Sequence, residues 1–238
     1  MRSHCLSRLT MILLAASSLY GYSQETGKGA RLEGRFGTGL VSIQDPAHLA
    51  ALPANPAWRT PPFTVECWAR VLSKYGFNIL VASEPKASPT HWELYSFAGS
   101  GNLAAYLPGN TPDTILSNRD ITDGKWHYIA MTNDGATIRL YVDAQPVGEG
   151  PYHPTNAAPP EQGPLFLGDV EGIGCHGIVD EVRLSKGVRA MANVPVTPFE
   201  PDADTLALLH FDEPGSAPAP SMDRTPPGIV TLADGTPC

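Results

Sequence analysis

Basic residues are scarce in this chain: 16 Lys and Arg stand against 24 Asp and Glu in 238 residues, a formal net charge of −8. No Lys/Arg cluster occurs, which argues against nucleic acid as a partner, because backbone binding needs a concentrated basic surface to displace counterions. Long apolar runs are missing as well. No stretch reaches the ~20 residues that cross a bilayer as a helix, so no membrane span is expected. Only four cysteines occur, and none falls in a C-x-x-C or Cys/His ligand spacing, which argues against a thiolate metal site. The motifs G-x-S-x-G and H-E-x-x-H are absent, as is the P-loop, and no internal repeat is visible.

Proline, by contrast, is abundant. Its 24 residues are about twice the usual share of roughly 5%, and with 23 glycines they suit many short strands and turns. A hydrophobic fraction of 42% is enough for a core, and the length suits one large all-β domain. Residues 1–23 read as an export signal: Arg2 and Arg8, then the apolar run Met11 to Ala16, then the small-x-small site Gly21-Tyr22-Ser23. The domain is expected over 24–213, with a Pro-rich tail over 214–238. The mature product is expected outside the cytoplasm, secreted or periplasmic.

Loss of Cys5 with the signal leaves Cys67, Cys175 and Cys238, an odd number for an oxidising compartment. Cys67 shares strand parity with Phe63, Val65, Ala69 and Val71, which places it on a core face as a buried thiol. Cys175 with Cys238 is the pair to test as a disulfide.

The stretch DGKWHYIAMTNDGATIRLYVDAQPVGEG, Asp123 to Gly150, is the most informative. Trp126 to Met131 and Ile138 to Val142 are strand-like runs parted by Asn133-Asp134-Gly135, the signature of a hairpin. Ile138, Leu140 and Val142 share one face, so this sheet needs a second sheet to cover it. Leu32 to Ile43 reads as a first strand with glycines, and Asp45 to Leu52 as one or two helical turns behind a capping Asp. Strands follow at Phe63–Val71, Phe77–Ala82, His91–Phe97, Asn102–Leu107 and Thr114–Ser117. Pro151 to Pro164 reads as a connector. The last strands are Leu165–Gly168, Gly177–Leu184 and Thr205–Phe211. No helical segments separate these strands into βαβ units, so the fold is expected to be an antiparallel β-sandwich or jelly roll.

FTVECWAR, then DGKWHYIAMTNDGATIRLYVD, then LFLGDVEGIGCHGIVDEVRLS resemble the signature strands of the laminin-G-like jelly roll. That family is part of the concanavalin A-like lectin/glucanase superfamily, which also holds pentraxins. The resemblance runs from Leu32 to Leu184 and implies two stacked antiparallel sheets. It also implies sugars, other proteins and calcium as the family's usual partners. The pentraxin disulfide does not carry over, since Trp126 to Thr132 holds no cysteine, and no acidic cluster matches the pentraxin calcium sites. No cofactor is implied by a ligand motif.

The superfamily's glucanases place two carboxylates on one strand face in E-x-D-x-x-E, and this sequence has no such motif. Glu93 has no second acid two or four positions on. Asp180 and Glu181 are adjacent and so are expected on opposite faces; the family resemblance implies a structural pair, with the Asp bonding a neighbouring loop and the Glu lying on the sheet. His127 and His176 read as exposed strand or loop residues. No catalytic and no metal-ligating residues are therefore assigned. Trp92, Tyr95, Tyr106 and Trp68 are candidate stacking surfaces for sugar rings, with Arg70 and Asn102 as hydrogen-bond partners; core packing is the competing reading for each aromatic. The expected function is a noncatalytic recognition module for glycans. The alternatives are a module that binds exported proteins, and a glycoside hydrolase with a non-standard carboxylate pair.

Overall fold

The most regularly alternating stretch of the sequence lies within the larger of two sheets. Phe63, Val65, Cys67, Ala69 and Val71 enter the main core, while Arg70 on the opposite face is exposed. The computed structural model describes residues 32–42, 50–154 and 163–212, all within the unit Arg31–Cys238. The expected signal at 1–23, the tail at 214–238 and the start of the expected helical turns at 45–49 lie outside the described residues.

The larger sheet has eight strands. Its order is β1 (Leu32–Glu33), β2 (Thr38–Ser42), β15 (Gly177–Lys186), β4 (Phe63–Val71), β9 (Trp126–Asn133), β10 (Thr137–Val142) and β11 (Gln145–Pro151), with β16 (Thr205–Leu209) also paired to β15. The six-stranded sheet runs β3 (Ala50–Leu52), β12 (Leu165–Leu167), β5 (Asn78–Ser83), β6 (Trp92–Ser96), β7 (Asn102–Tyr106) and β8 (Thr114–Asp120). A small hairpin, β13 (Asp169–Val170) with β14 (Ile173–Gly174), completes the described strands. The pairings within both sheets are antiparallel.

Every second side chain of the two sheets meets in one core. Val65, Ile129, Met131, Ile138, Leu140 and Leu184 come from the larger sheet, and Leu80, Leu94, Leu103, Leu165 and Leu167 from the smaller. Each such aliphatic side chain contributes about 1.5–3 kcal/mol on burial, so the alternation in sequence is what selects this pairing of faces. The chain is therefore an all-β antiparallel jelly-roll sandwich, and the organising hairpin stands as the sequence implies, with Ile138, Leu140 and Val142 buried.

Several local expectations change. Leu32 to Ser42 is a hairpin, since Gly34 N–H donates to the Gly37 carbonyl and Gly37 has φ 77°. Ala50–Leu52, expected at the end of a helical turn, is a strand because its backbone pairs with β12. The only short helix among the described residues is the 3-10 turn Pro56–Trp58, capped by the Asn55 side chain. Gln145–Pro151 is a full strand, reached through Asp143 and Ala144, which both take positive φ in a tight turn.

His127 is buried, with Nδ1 2.8 Å from Asp143 and Nε2 3.1 Å from Asp123, so it clasps the organising hairpin from inside. Cys67 and Cys175 are buried free thiols; burial pushes the first up and the second up to about 12. Cys238, the expected partner of Cys175, lies outside the described residues.

Candidate functional site

The six sequence-predicted ligand residues fall in three places. Trp92 is in the interior: it is 1% exposed, stacks on Phe63 at 5.6 Å and donates from Nε1 to the Trp58 carbonyl. It has no face free for a ring, because its place on β6 points it between the sheets. Trp68 and Arg70 lie on the outer face of the eight-stranded sheet. Trp68 is buried there under Arg35 and Phe36 and beside Tyr128, so it too offers no open face. Arg70 is exposed and donates from Nε to the Gly124 carbonyl. Tyr95, Tyr106 and Asn102 lie together on the outer face of the six-stranded sheet, where register puts them on the side opposite Leu94, Leu103 and Ala105.

The eight-stranded sheet covers its own outer face. Segment 187–204 crosses it, and Phe199, with Met191 and Val194 partly buried, packs over Trp68, Tyr128 and Leu208. Glu66 is buried at the centre of this layer, where it accepts from Tyr128 OH at 2.7 Å and Arg183 Nη2 at 3.0 Å and lies 3.6 Å from Arg189. Arg189 in turn holds Asp202.

Asp180 and Glu181 belong to the same layer. A bulge between Asp180 and Arg183 breaks the alternation, and Glu181 takes φ 52°. The two carboxylates therefore do not serve opposite faces. Asp180 accepts from Arg35 and Phe36 N–H, while Glu181 accepts from Phe199 N–H and lies 2.6 Å from His210 Nδ1. The expected bond from the Asp to a neighbouring loop is present. Burial, with the nearby Glu181 charge, pushes Asp180 up to about 7 against the pull of its N–H donors.

The outer face of the six-stranded sheet is built differently. Phe166, Ala82, Glu93, Tyr106 and Thr114 follow one another across five strands, and Ile79, Tyr95, Ala104 and Leu116 form a second row across four. The hairpin β13–β14 lays Val170 and Ile173 over one side. Beyond it the surface is aromatic and open: Phe77 is 42% exposed and Leu116 48%. Phe77, Tyr95 and Phe97 form mutual ring contacts at 5.4–6.4 Å.

Polar groups gather at one end of these rows. Lys86 pairs with Glu93 and lies 5.6 Å over the Tyr106 ring. Burial lowers the Lys86 ammonium. His91 has its Nδ1 2.9 Å from the Glu84 carbonyl and its Nε2 2.9 Å from Glu93 Oε1. Burial holds the imidazole down to about 4, so it is neutral near pH 7. Burial pushes the Tyr95 hydroxyl up to about 12, so it remains a neutral donor, within hydrogen-bond reach of Thr114.

Sequence reasoning missed Phe77, Phe97 and Lys86 as members of this surface. Phe77 and Phe97 were legible as strand residues, and their parity with Ile79 and Tyr95 was the available signal. Lys86 comes from a turn-rich loop, where no period applies. Among the described residues no group of three or more His, Cys, Asp or Glu is arranged to hold a metal ion. None of their helices is long and apolar enough to cross a membrane.

A family described as the concanavalin A-like lectin/glucanases superfamily matches residues 46–194. Among solved structures, domain 4 of an extracellular arabinanase from Geobacillus stearothermophilus, in complex with arabinotriose, is similar. Its TM-score is 0.53 at 17% identity, over 66% of this chain and 75% of that one. A putative carbohydrate binding protein from Bacteroides ovatus gives a TM-score of 0.50 at 15% identity, over 79% of this chain and 56% of that one. A heptameric SAP-like pentraxin from Limulus polyphemus gives 0.45 at 15% identity, over 64% of this chain and 77% of that one. No curated protein matches the chain.

Proposed function

The chain belongs to the concanavalin A-like lectin/glucanases superfamily, and from that premise we propose that it is an exported, noncatalytic module that binds carbohydrate. The binding surface is the outer face of the six-stranded sheet. The observation that carries this reading is the aromatic and polar array at Phe77, Phe97 and Tyr106, bounded by Lys86 and Asn102, with Tyr95 buried beneath it and so offering no open face of its own. Flat rings beside fixed hydrogen-bonding groups suit a sugar, which presents apolar C–H faces and hydroxyls together. The arabinotriose complex of the arabinanase domain and the putative carbohydrate binding of the Bacteroides protein lend support, and an arabinan oligosaccharide is a reasonable first ligand.

Catalysis is disfavoured by the state of the acids. Glu93 is 2% exposed and engaged by Lys86 and His91, while Glu84, 1% exposed, is held by Arg59, Ser88 and Thr90. Neither carboxylate is free to protonate or attack a glycosidic bond.

Affinity electrophoresis through gels holding arabinan, β-glucan, xylan or mannan tests the reading. Retardation by at least one polymer is expected, lost in Tyr106→Ala and weakened in Asn102→Ala. Absence of retardation on every polymer, together with a stable complex with an exported protein, would replace this reading with protein recognition through Phe77 and Leu116. Release of reducing sugar above a buffer blank would restore a hydrolase.

A further inference from the structure

At the mouth of the sandwich, where β9 ends, lies a cleft of about 30 Å³. Its wall includes Phe63, Trp92 and Tyr152 together with Arg59, Asn110 and Asn133. Asn133 pairs with Phe63 on one side and Ile138 on the other, continuing the row in which Met131 faces Val65. The alternation that sends Ile129 and Met131 into the core therefore sends the Asn133 amide between the sheets, at their open end.

Asn133 is 1% exposed, and its Oδ1 accepts from Gly135 N–H at 2.9 Å. Its Nδ2 has no hydrogen-bond partner among the described residues. A buried donor left in that state destabilises the fold, so its presence asks for an acceptor.

Asn110, Arg59, Thr90 and His91, which also line the cleft, are engaged. Asn110 donates to the Pro112 and Pro151 carbonyls and accepts from His153 N–H. Arg59 pairs with Glu84, and both His91 nitrogens are occupied. With its one cation already offset, the cleft has nothing left to select an anion. Its volume is room for about two waters, or one –CH2OH arm, and not for a sugar ring. His91 lines the cleft and also meets Tyr106 edge-on at 6.1 Å, so the cleft adjoins the aromatic face.

We infer that the cleft is a subsite for one hydroxyl or hydroxymethyl arm of an uncharged sugar, whose oxygen accepts from Asn133 Nδ2. This rests on the carbohydrate reading above, and it makes the end of a neutral glycan the preferred ligand.

The test uses the full chain with arabinotriose, cellotriose, mannotriose and the acidic trigalacturonate. The Asn133 side-chain amide is followed by NMR after through-bond assignment, and affinities are measured by calorimetry. At least one neutral trisaccharide is expected to shift that amide, while trigalacturonate does not. Asn133→Leu, which keeps the volume, is expected to weaken binding about tenfold, as loss of one hydrogen bond predicts. The amide shift in the natural chain decides the matter even if Asn133→Leu fails to fold. If a neutral sugar binds and Tyr106→Ala abolishes it, but the amide does not move, the cleft holds water only and the carbohydrate reading survives. Preference for trigalacturonate overturns the neutral assignment. No binding by any of the four sugars, together with no retardation on the polymers, sinks both.

Discussion

On the eight-stranded sheet the outer face carries Glu66, Trp68, Tyr128 and Arg183, and the chain's own segment 187–204 lies over them. On the six-stranded sheet the outer face carries Glu93, Tyr95 and Tyr106, and only the short β13–β14 hairpin covers one side. Both faces pair a buried acid with a cation beside a tyrosine. The first cluster sits beneath a layer of chain with Phe199 wedged into it, whereas the second borders aromatics that meet solvent. Similar side chains are thus sealed in by the chain itself on one face, and on the other are left at the border of the proposed binding surface.

The comparison predicts unequal costs. Glu66→Ala, which leaves Arg183 and Arg189 facing a buried gap, should destabilise by about 3 kcal/mol or more in urea unfolding, without changing polymer retention. Lys86→Ala, on a side chain 26% exposed, should cost less than Glu66→Ala, because water can enter beside Glu93, which also keeps His91 as a partner. Equal costs would break the distinction. Phe199→Ala should cost on the order of 3 kcal/mol and open segment 187–204 to limited proteolysis. Cleavage elsewhere first would mean that this segment is not what closes the face.

A smaller effect concerns pH. Asp180, pushed up to about 7, and His210, raised by its bond to Glu181, both hold a proton more tightly folded than unfolded. Their contribution is complete below the ordinary values and is lost as pH rises through the folded ones. Asp180→Asn, which fixes the neutral form, should therefore gain melting temperature relative to the natural chain by a few degrees as pH goes from about 5 to about 8. A constant difference would show that Asp180 keeps its ordinary titration. Smallest of all, Tyr106→Ala should change stability by less than about 1 kcal/mol, in line with a half-exposed site, while abolishing retention.

The sandwich was legible because alternation is written residue by residue. Phe63 to Val71 and Ile138 to Val142 state their buried face directly, and the core follows. The candidate site was only half legible. Tyr95, Tyr106 and Asn102 share a face, but the same alternation that located Trp92 on a strand does not say that its side points inward. Trp68 does face outward, yet it is covered by Arg35 and Phe36 from the first turn, in a layer that Phe199 completes from far downstream, and no local pattern encodes either. The Asp180–Glu181 bulge escaped for a related reason: a single residue at positive φ shifts the alternation, and neither acid announces it.

The Asp180–Glu181 bulge also fixes where the domain's two ends meet. One carboxylate holds the turn after β1 and the other holds the residue after β16, and Gly37 lies so close to Asp212 that a methyl group there would collide with it. Entry and exit thus share one doorway, on the side away from the aromatic surface. A circular permutant opened at the Gly99–Gly101 turn, or a fusion to either end, has a short gap to bridge there. The fold can be strung into a longer polypeptide with the proposed binding surface still turned outward.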